Sequence, residues 1–399
     1  MPLTNSRSRY GMITKIFHWT IALGILLMIP LGWLADRLPY ETADQLARKA
    51  TLFSVHKTLG VTIFLVALAR IVWAVTQTKP APLHPDRRVE TFAAEVVHWL
   101  LYGSLVLVPL SGWIEHAATD GFAPIWWPFG QDLFFVPKSP ALAETFATLH
   151  FILQWVLLGA LVLHVAGALK HHLIDGDATL RRMWFGTTEA SGPHHARHGW
   201  AAPLLAGFVW AATLGGAWSL GWFAHDTGGT SAELAQVESD WSVREGTLSL
   251  SVDQFGKTVE GSFAEWTPDI DFDDSTDTGD KGSVTVQIAI GSLTLGSVTN
   301  QALGADFLSA EDHPTATFTA PIVRTEDGYI AEGTLALKDH EVPVTLPFTL
   351  TLEGDVAQME GQAVLDRRNF SIGDSMTDPA QLGFEVIIDV ALTAERAGD

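Results

Sequence analysis

The chain changes its hydrophobic rhythm once. Up to about residue 223 the apolar positions run together in five long stretches: Ile16–Leu34, Leu52–Val75, Ala93–Ile114, Ala147–Leu169 and Ala201–Phe223. About 20 apolar residues at roughly 1.5 Å rise each cover the ~30 Å hydrocarbon core of a bilayer, so each stretch predicts a membrane-crossing helix. The first is not a signal peptide, because it lacks a small-residue cleavage site and four further spans follow it. From Trp241 onward the period becomes two. Val342, Val344, Leu346, Phe348, Leu350 and Leu352 alternate with Glu341, Pro343, Thr345, Pro347, Thr349 and Thr351, which predicts strand rather than helix. Similar alternation over 247–252, 283–290, 316–323, 329–337, 362–365 and 384–392, broken by Gly/Asp turns, predicts about eight antiparallel strands in a sandwich or closed barrel. Asn300–Ser309 is the one predicted helical insertion. Residues 225–240 are polar, rich in Gly, Ser, Thr and acids, and predict a tether.

Charge follows the same division. Residues 1–225 carry 16 Lys and Arg against 13 Asp and Glu, a net of +3, whereas 226–399 carry 8 against 32, a net of −24. A phosphate backbone would be repelled by the second half, which excludes nucleic acid as its partner. Arg7, Arg9 and Lys15 before the first span, Lys79, Arg87 and Arg88 in the second loop, and Lys170, Arg181, Arg182 and Arg197 in the fourth outnumber the basic residues of the other two loops by ten to four. The positive-inside rule then places the N-terminus in the cytoplasm, and an odd number of spans delivers the strand-rich half to the periplasm of a Gram-negative cell. With no cysteine, the chain has no disulfides, iron–sulfur clusters, cysteine zinc sites or covalent haem attachment, so any haem is held noncovalently.

Thirteen of the fifteen histidines precede residue 226, several of them inside apolar spans where an ionisable group is costly without a partner. His150 and His164 share the fourth span. Fourteen residues separate them by about 21 Å of rise and return to within about 40° of one face. His18 opens a span that starts inside, and His56 one that starts outside. Depth therefore pairs His18 with His164 and His56 with His150, as bis-histidine ligation of two haem irons across a helix bundle requires. The bland alternative is that these imidazoles bond one another or face a water-filled cavity. Arg70, fourteen residues after His56, either meets a haem propionate or snorkels to the interface. His98 either lines a quinone or proton site or has no special role. His171, His172, His194, His195 and His198 form a cytoplasmic-side group, read either as a metal site or as a solvated loop.

The motifs Tyr10 with Lys15-Ile16-Phe17-His18-Trp19, Val55-His56-Lys57 with Arg70, Val97-His98-Trp99-Leu100, and Leu149-His150 through His164 to His171-His172 make residues 10–185 resemble the bacterial four-helix cytochrome b561 family. The resemblance implies two noncovalent haem b groups, electron exchange with the quinone pool through ubiquinone and, for some members, superoxide oxidation at the outer face. The fifth span lies outside that four-helix pattern and looks like an exporter of the tail.

The second half resembles the YceI-like family of lipocalin-like barrels through Gly261-Ser262-Phe263, Asp271-Phe272-Asp273, Ala305-Asp306-Phe307-Leu308, His313-Pro314-Thr315-Ala316-Thr317-Phe318, Pro343-Val344-Thr345-Leu346 and Arg367-Arg368-Asn369-Phe370-Ser371-Ile372-Gly373. That resemblance implies a polyisoprenoid or similar amphiphilic lipid as ligand. The family's acid and histidine after the opening tryptophan are replaced by Ser242-Val243-Arg244, and its His-Gly pair by Lys338-Asp339, so the ligand's identity stays open. A small barrel either encloses one slender ligand or is filled by its own side chains.

The expected fold is thus multidomain. An all-α transmembrane four-helix bundle (1–185), with a cytoplasmic loop and a fifth membrane helix (186–224), is followed by a linker (225–240) and an all-β antiparallel lipocalin-like barrel (241–399). The leading function is a dihaem b-type, quinone-linked electron-transfer protein of the inner membrane with a tethered barrel for an isoprenoid-type lipid or quinone. One alternative makes the barrel primary, a membrane-anchored lipid-binding or stress-sensing module; another is the cytochrome b subunit of a larger dehydrogenase. Asp269, Asp271, Asp273, Asp274, Asp277 and Asp280 mimic a calcium loop, but position six is Asp274 where glycine is needed, and a solvated turn is expected. Neither a Gly-x-Ser-x-Gly motif nor a cysteine offers a nucleophile.

Overall fold

The computed structural model describes residues 2–40, 42–84, 86–119, 123–186, 188, 199–224, 234, 239–273, 279–326 and 328–396, with the side chains of residues 43 and 297 excepted. His194, His195, His198, Asp274, Asp277 and most of the 225–240 tether lie outside the described residues. The chain forms two compact units. One comprises Met1–Leu38, Thr51–Ala118 and Pro124–His225; the other comprises Asp226–Asp399 with the short segments Pro39–Ala50 and Thr119–Ala123.

The helical unit is built from α1 (Met12–Arg37), α2 (Ala43–Thr76), α3 (Arg88–Ala117), α4 (Pro140–Leu173), the short α5 (Thr179–Met183) and α6 (Ala201–Ser219). Five of these helices are long and apolar enough to cross a membrane. Local chemistry sets some of the ends. Ser139 caps α4, its hydroxyl accepting from the Leu142 backbone N–H at 3.3 Å, and Pro140 stands at the first helical position where a missing N–H costs nothing. Lys170, His171 and His172 occupy the last turn of α4, where the helix dipole favours cations. Ile21 and Ile25, Ile63 and Ala67, Leu105 and Val108, and Leu153 and Leu157 supply one residue pair each from α1 to α4 to a common core. Large side chains such as Leu23, Leu27, Leu163 and Phe208 point outward and stay exposed, the inverse of a water-soluble bundle and the pattern lipid requires.

The fifth long helix packs against the bundle. Ala202 and Ala206 of α6 are buried against Val96, Leu100 and Ala160, so α6 docks on α3 and α4 through small side chains.

The second unit is a single antiparallel sheet of ten strands in the order β3-β4-β6-β7-β8-β9-β10-β1-β2-β5. Its strands are β1 (Trp241–Gln254), β2 (Lys257–Phe263), β3 (Trp266–Phe272), β4 (Gly279–Ala289), β5 (Leu293–Thr294), β6 (Thr315–Thr325), β7 (Gly328–Leu337), β8 (His340–Glu353), β9 (Val356–Asp366) and β10 (Leu382–Arg396). Ten strands stand among the described residues where about eight are expected; β2, β3 and β5 fall outside the predicted segments, and β3 and β5 are the sheet edges. Helix α7 covers only Thr299–Leu303, because Gly304 ends it six residues before the expected end at Ser309. Asp269 and Asp271 sit in the β3 ladder opposite Thr285 and Ser283 of β4, so these members of the acidic run are strand residues.

The sheet curls until its edge strand meets the start of β1. Ser239 Oγ accepts from the Ile270 backbone N–H at 2.8 Å, and Trp241 Nε1 donates to the Phe272 carbonyl at 3.4 Å. Gly282 marks a bulge in β4: its φ is +117°, and a Cβ there would stand 2.1 Å from the Asp271 carbonyl oxygen. At the other end Arg367, 2% exposed, donates to the carbonyls of Gly383, Ile372, Gly373, Met376 and Leu382. One guanidinium thereby ties the β9–β10 crossover together.

Candidate functional site

Helix α4 presents His150 and His164 on one side, and the bundle brings a second histidine to each. The His18 and His164 ring centroids are 6.1 Å apart at an interplanar angle of 61°, and those of His56 and His150 are 6.5 Å apart at 81°. Two imidazoles sharing one metal at about 2 Å from each nitrogen stand with ring centres roughly 6 Å apart, so both separations suit a shared ion. All four side chains are half-buried. His150 Nδ1 donates to the Val108 carbonyl at 2.8 Å, which fixes its ring and leaves Nε2 to face the bundle as a ligand. Space is reserved for these rings by glycine. A Cβ at Gly32 would lie 2.7 Å from His56 Cε1, and one at Gly112 2.9 Å from His150 Nδ1. Paired neutral imidazoles without thiolate or carboxylate are a donor set that fits haem iron.

Arg70 is half-buried, its guanidinium 5.6 Å from the Tyr102 ring centroid and within electrostatic reach of His18, His98 and His164. It therefore shares the level of the His18 pair rather than that of His56. His98 lies beside that pair, 5.2 Å from His164 by ring centroids, with its Nδ1 donating to Ala94 within its own helix at 2.6 Å. Lys57 is buried, and Lys138 is exposed and paired with Asp132 at 2.9 Å.

Of the expected cytoplasmic-side histidine group, only His171 and His172 lie among the described residues. His171 Nδ1 lies 2.7 Å and His84 Nε2 3.1 Å from the same Asp177 oxygen, with the two rings parallel and 6.3 Å apart. Burial alone would raise Asp177, but bonds from the Thr179 backbone N–H and hydroxyl and from His171 outweigh it and hold the carboxyl at about 2. Glu90, His171 and Asp175 offer three donor atoms within 4.8 Å of one another. Lys170 already bridges Glu90 at 2.8 Å and Asp175 at 3.0 Å, and Arg87 reaches Asp175 at 3.0 Å, so the cluster is an ion-pair network with its charge compensated. His84 carried no signal in the sequence, since it sits in a polar loop.

The barrel encloses a cavity of about 310 Å³. Inward positions alternate along every long strand, as at Leu248, Leu250 and Val252 of β1 and Val386, Ile388 and Val390 of β10. Small inward residues, among them Ala316, Ala331, Ala357 and Ala363, keep the centre open, so the barrel is not filled by its own side chains.

Facing histidine pairs in a bundle of membrane-length helices, joined to an apolar-lined antiparallel barrel, define a membrane electron-transfer protein fused to a β-domain with a hydrophobic interior. Residues 9–186 match the prokaryotic cytochrome b561 family and residues 239–394 the YceI-like domain. Cytochrome b561 homolog 2 of Escherichia coli strain K12 is 34% identical over 187 residues, which is 46% of this chain and 95% of that protein. The probable superoxide oxidase CybB of Yersinia pestis is 23% identical over 176 residues, 44% of this chain and 95% of that protein. Among solved structures, Burkholderia cenocepacia BcnA is 26% identical and covers 37% of this chain and 95% of its own, with a TM-score of 0.34. The chain belongs to the cytochrome b561 family through its helical unit and carries a YceI-like domain behind it. Haem b binding is the family's chemistry.

Proposed function

We propose that this protein is a dihaem electron-transfer protein of the bacterial inner membrane that exchanges electrons with the quinone pool, its N-terminus cytoplasmic and its barrel periplasmic. The observation that carries this reading is the pair of facing imidazoles at each end of α4. His18 with His164, and His56 with His150, are the proposed axial ligands, and Arg70 is the proposed partner of a propionate near the first pair. Haem bound at these positions supplies one-electron chemistry at two depths of the bilayer. The chain's own residues prepare both positions: Val108 orients His150, Gly32 and Gly112 leave room for the outer rings, and the apolar core of Ile21, Ile63, Leu105 and Leu153 excludes water between them. The barrel holds an isoprenoid-tailed lipid, with the alanine-lined cavity as its support. Oxidation of superoxide at the outer face is carried only by the likeness to CybB of Yersinia pestis.

Pyridine haemochrome quantification, with dithionite-reduced minus oxidised spectra, tests the assignment on purified wild type, His56→Ala and His164→Ala. Two haems per chain, falling by about one in each variant, are expected. No haem, or no loss in the variants, overturns the pairing. A second reading, in which lipid binding by the barrel is primary and the bundle is its anchor, is favoured by the size of the apolar cavity. It predicts bound haem that quinol does not reduce.

A further inference from the structure

The cavity is apolar along its length except at one end. Gln254 continues the inward series Leu248, Leu250, Val252 as the last residue of β1; it lines the cavity and is 5% exposed. Its Oε1 is buried and meets no hydrogen-bond donor among the described residues. Gln301 of α7 also lines the cavity, and its Nε2 is likewise buried without an acceptor. Gln254 pairs with Lys257 at the β1–β2 turn, and the neighbours of Gln301 on α7, Ala302 and Leu303, pack against the apolar cluster that includes Leu250 and Val259 of the same two strands, from which we take both amides to face one end of the cavity. The opposite end is occupied by Trp241 with Ala357 and Ala394.

A buried amide group without a partner keeps the cost of its lost hydration uncompensated. Two such groups, one acceptor and one donor, at the same end of an otherwise greasy cavity are what a ligand's polar head would satisfy. Charge then narrows the head. Arg367 is the one cationic side chain lining the cavity among the described residues, and its five backbone partners consume its five N–H donors. No guanidinium donor is left for an anion, and the net charge of −24 over residues 226–399 adds repulsion. Burying a pyrophosphate against two neutral amides would leave its charge unpaired.

We infer that Gln254 and Gln301 are the residues that read the head group, and that the barrel selects lipids with an uncharged, hydroxyl-bearing head, a quinol or an isoprenoid alcohol, over isoprenoid pyrophosphates and bare hydrocarbons. Gln301 donates to a hydroxyl oxygen, and Gln254 accepts from a hydroxyl. The inference rests on the barrel being a lipid carrier.

The test uses the full chain in nanodiscs with a farnesol probe bearing a diazirine in its tail, photocrosslinks being mapped to peptides within 241–396. Decylubiquinol, farnesol, farnesyl pyrophosphate and farnesane compete in parallel arms, which also separates quinol from alcohol. We expect farnesol or decylubiquinol to compete about tenfold better than farnesane or farnesyl pyrophosphate. In Gln254→Leu/Gln301→Leu, and in the bulkier-tolerant Gln254→Met/Gln301→Met, the advantage over farnesane falls below about threefold while crosslinking to the barrel persists. Equal competition by farnesyl pyrophosphate, or an undiminished advantage in both double variants, overturns the head-group assignment and leaves the carrier intact. Absence of any crosslink within 241–396 overturns the carrier reading and the assignment with it.

Discussion

Gly32 and His56 sit so close that a single added carbon would collide: a Cβ on Gly32 would stand 2.7 Å from the imidazole Cε1. Helix α1 therefore gives up a side chain so that the α2 histidine can swing toward His150, and Gly112 of α3 does the same for His150 itself. Gly32→Leu should displace the His56 ring and lower haem content from two per chain to about one, leaving the His18–His164 site loaded. Gly159, where an added Cβ meets nothing within 4 Å, is the control, and Gly159→Ala should keep both. Haemochrome quantification separates the outcomes; equal haem in Gly32→Leu and wild type would sink the outer-pair assignment.

Gly103 plays the corresponding part for the fifth helix. A Cβ there would lie 2.0 Å from the Trp210 ring, so the indole of α6 occupies the place of a missing side chain on α3. Gly103→Leu should cost roughly 1–3 kcal/mol by overpacking and lower the thermal midpoint of the purified protein. Combining it with Trp210→Ala refills the vacated space, so the double variant should recover much of the loss instead of adding to it. Strict additivity of the two changes would mean that α6 does not dock at this position.

The spans were legible because hydropathy alone specifies them, yet the helices run past the apolar runs at their ends. α4 starts at Pro140, seven residues before Ala147, and the signal for that start, Ser139-Pro140, is local and was available. β3 was also within reach. Trp266, Pro268, Ile270 and Phe272 alternate with polar residues, but the acids between them read as a turn; the edge position of β3 tolerates the proline. The histidine partners followed from depth along helices, a one-dimensional property. What sequence could not supply were relations between different elements: which glycine faces which ring, that His84 shares Asp177 with His171, and that Gln301 of α7 lines the same cavity as Gln254. Gln254 is intermediate, since its parity with Leu248, Leu250 and Val252 already pointed it inward.

The network around Asp177 predicts a pH dependence of known sign. Its carboxyl is held at about 2 in the folded chain, below the unfolded value of about 3.9, so the stabilisation is present above that value and is lost as pH falls toward 2. His84, His171, Lys170, Arg87, Glu90 and Asp175 are charged and titratable groups of the same cluster, and Lys170 and Arg87 keep Asp175 below its ordinary value as well. Thermal midpoints at pH 5 and pH 2.5 should therefore differ more in wild type than in Asp177→Asn. An equal drop in the two would show that the carboxylate contributes nothing to the helix ends around it.

Arg367 and Arg368 are neighbours of the same charge with opposite weight. Arg367 is 2% exposed, and its five bonds to backbone carbonyls span 2.5 to 3.2 Å, so truncation leaves several buried acceptors dry at on the order of 1–3 kcal/mol each. Arg368 is an exposed partner of Asp366, and water screens such a pair so that it contributes little. Arg367→Met should accordingly unfold the barrel at markedly lower urea, while Arg368→Ala should shift it little. Pulse proteolysis of the full chain, scored by survival of the C-terminal fragment, reads the barrel without interference from the helical unit. Because that guanidinium has no donor to spare, Arg367→Met should not release a new anion-binding group. If a folded Arg367→Met chain instead lost binding of a lipid pyrophosphate that wild type bound, the guanidinium would belong to the ligand site and not to the backbone clasp.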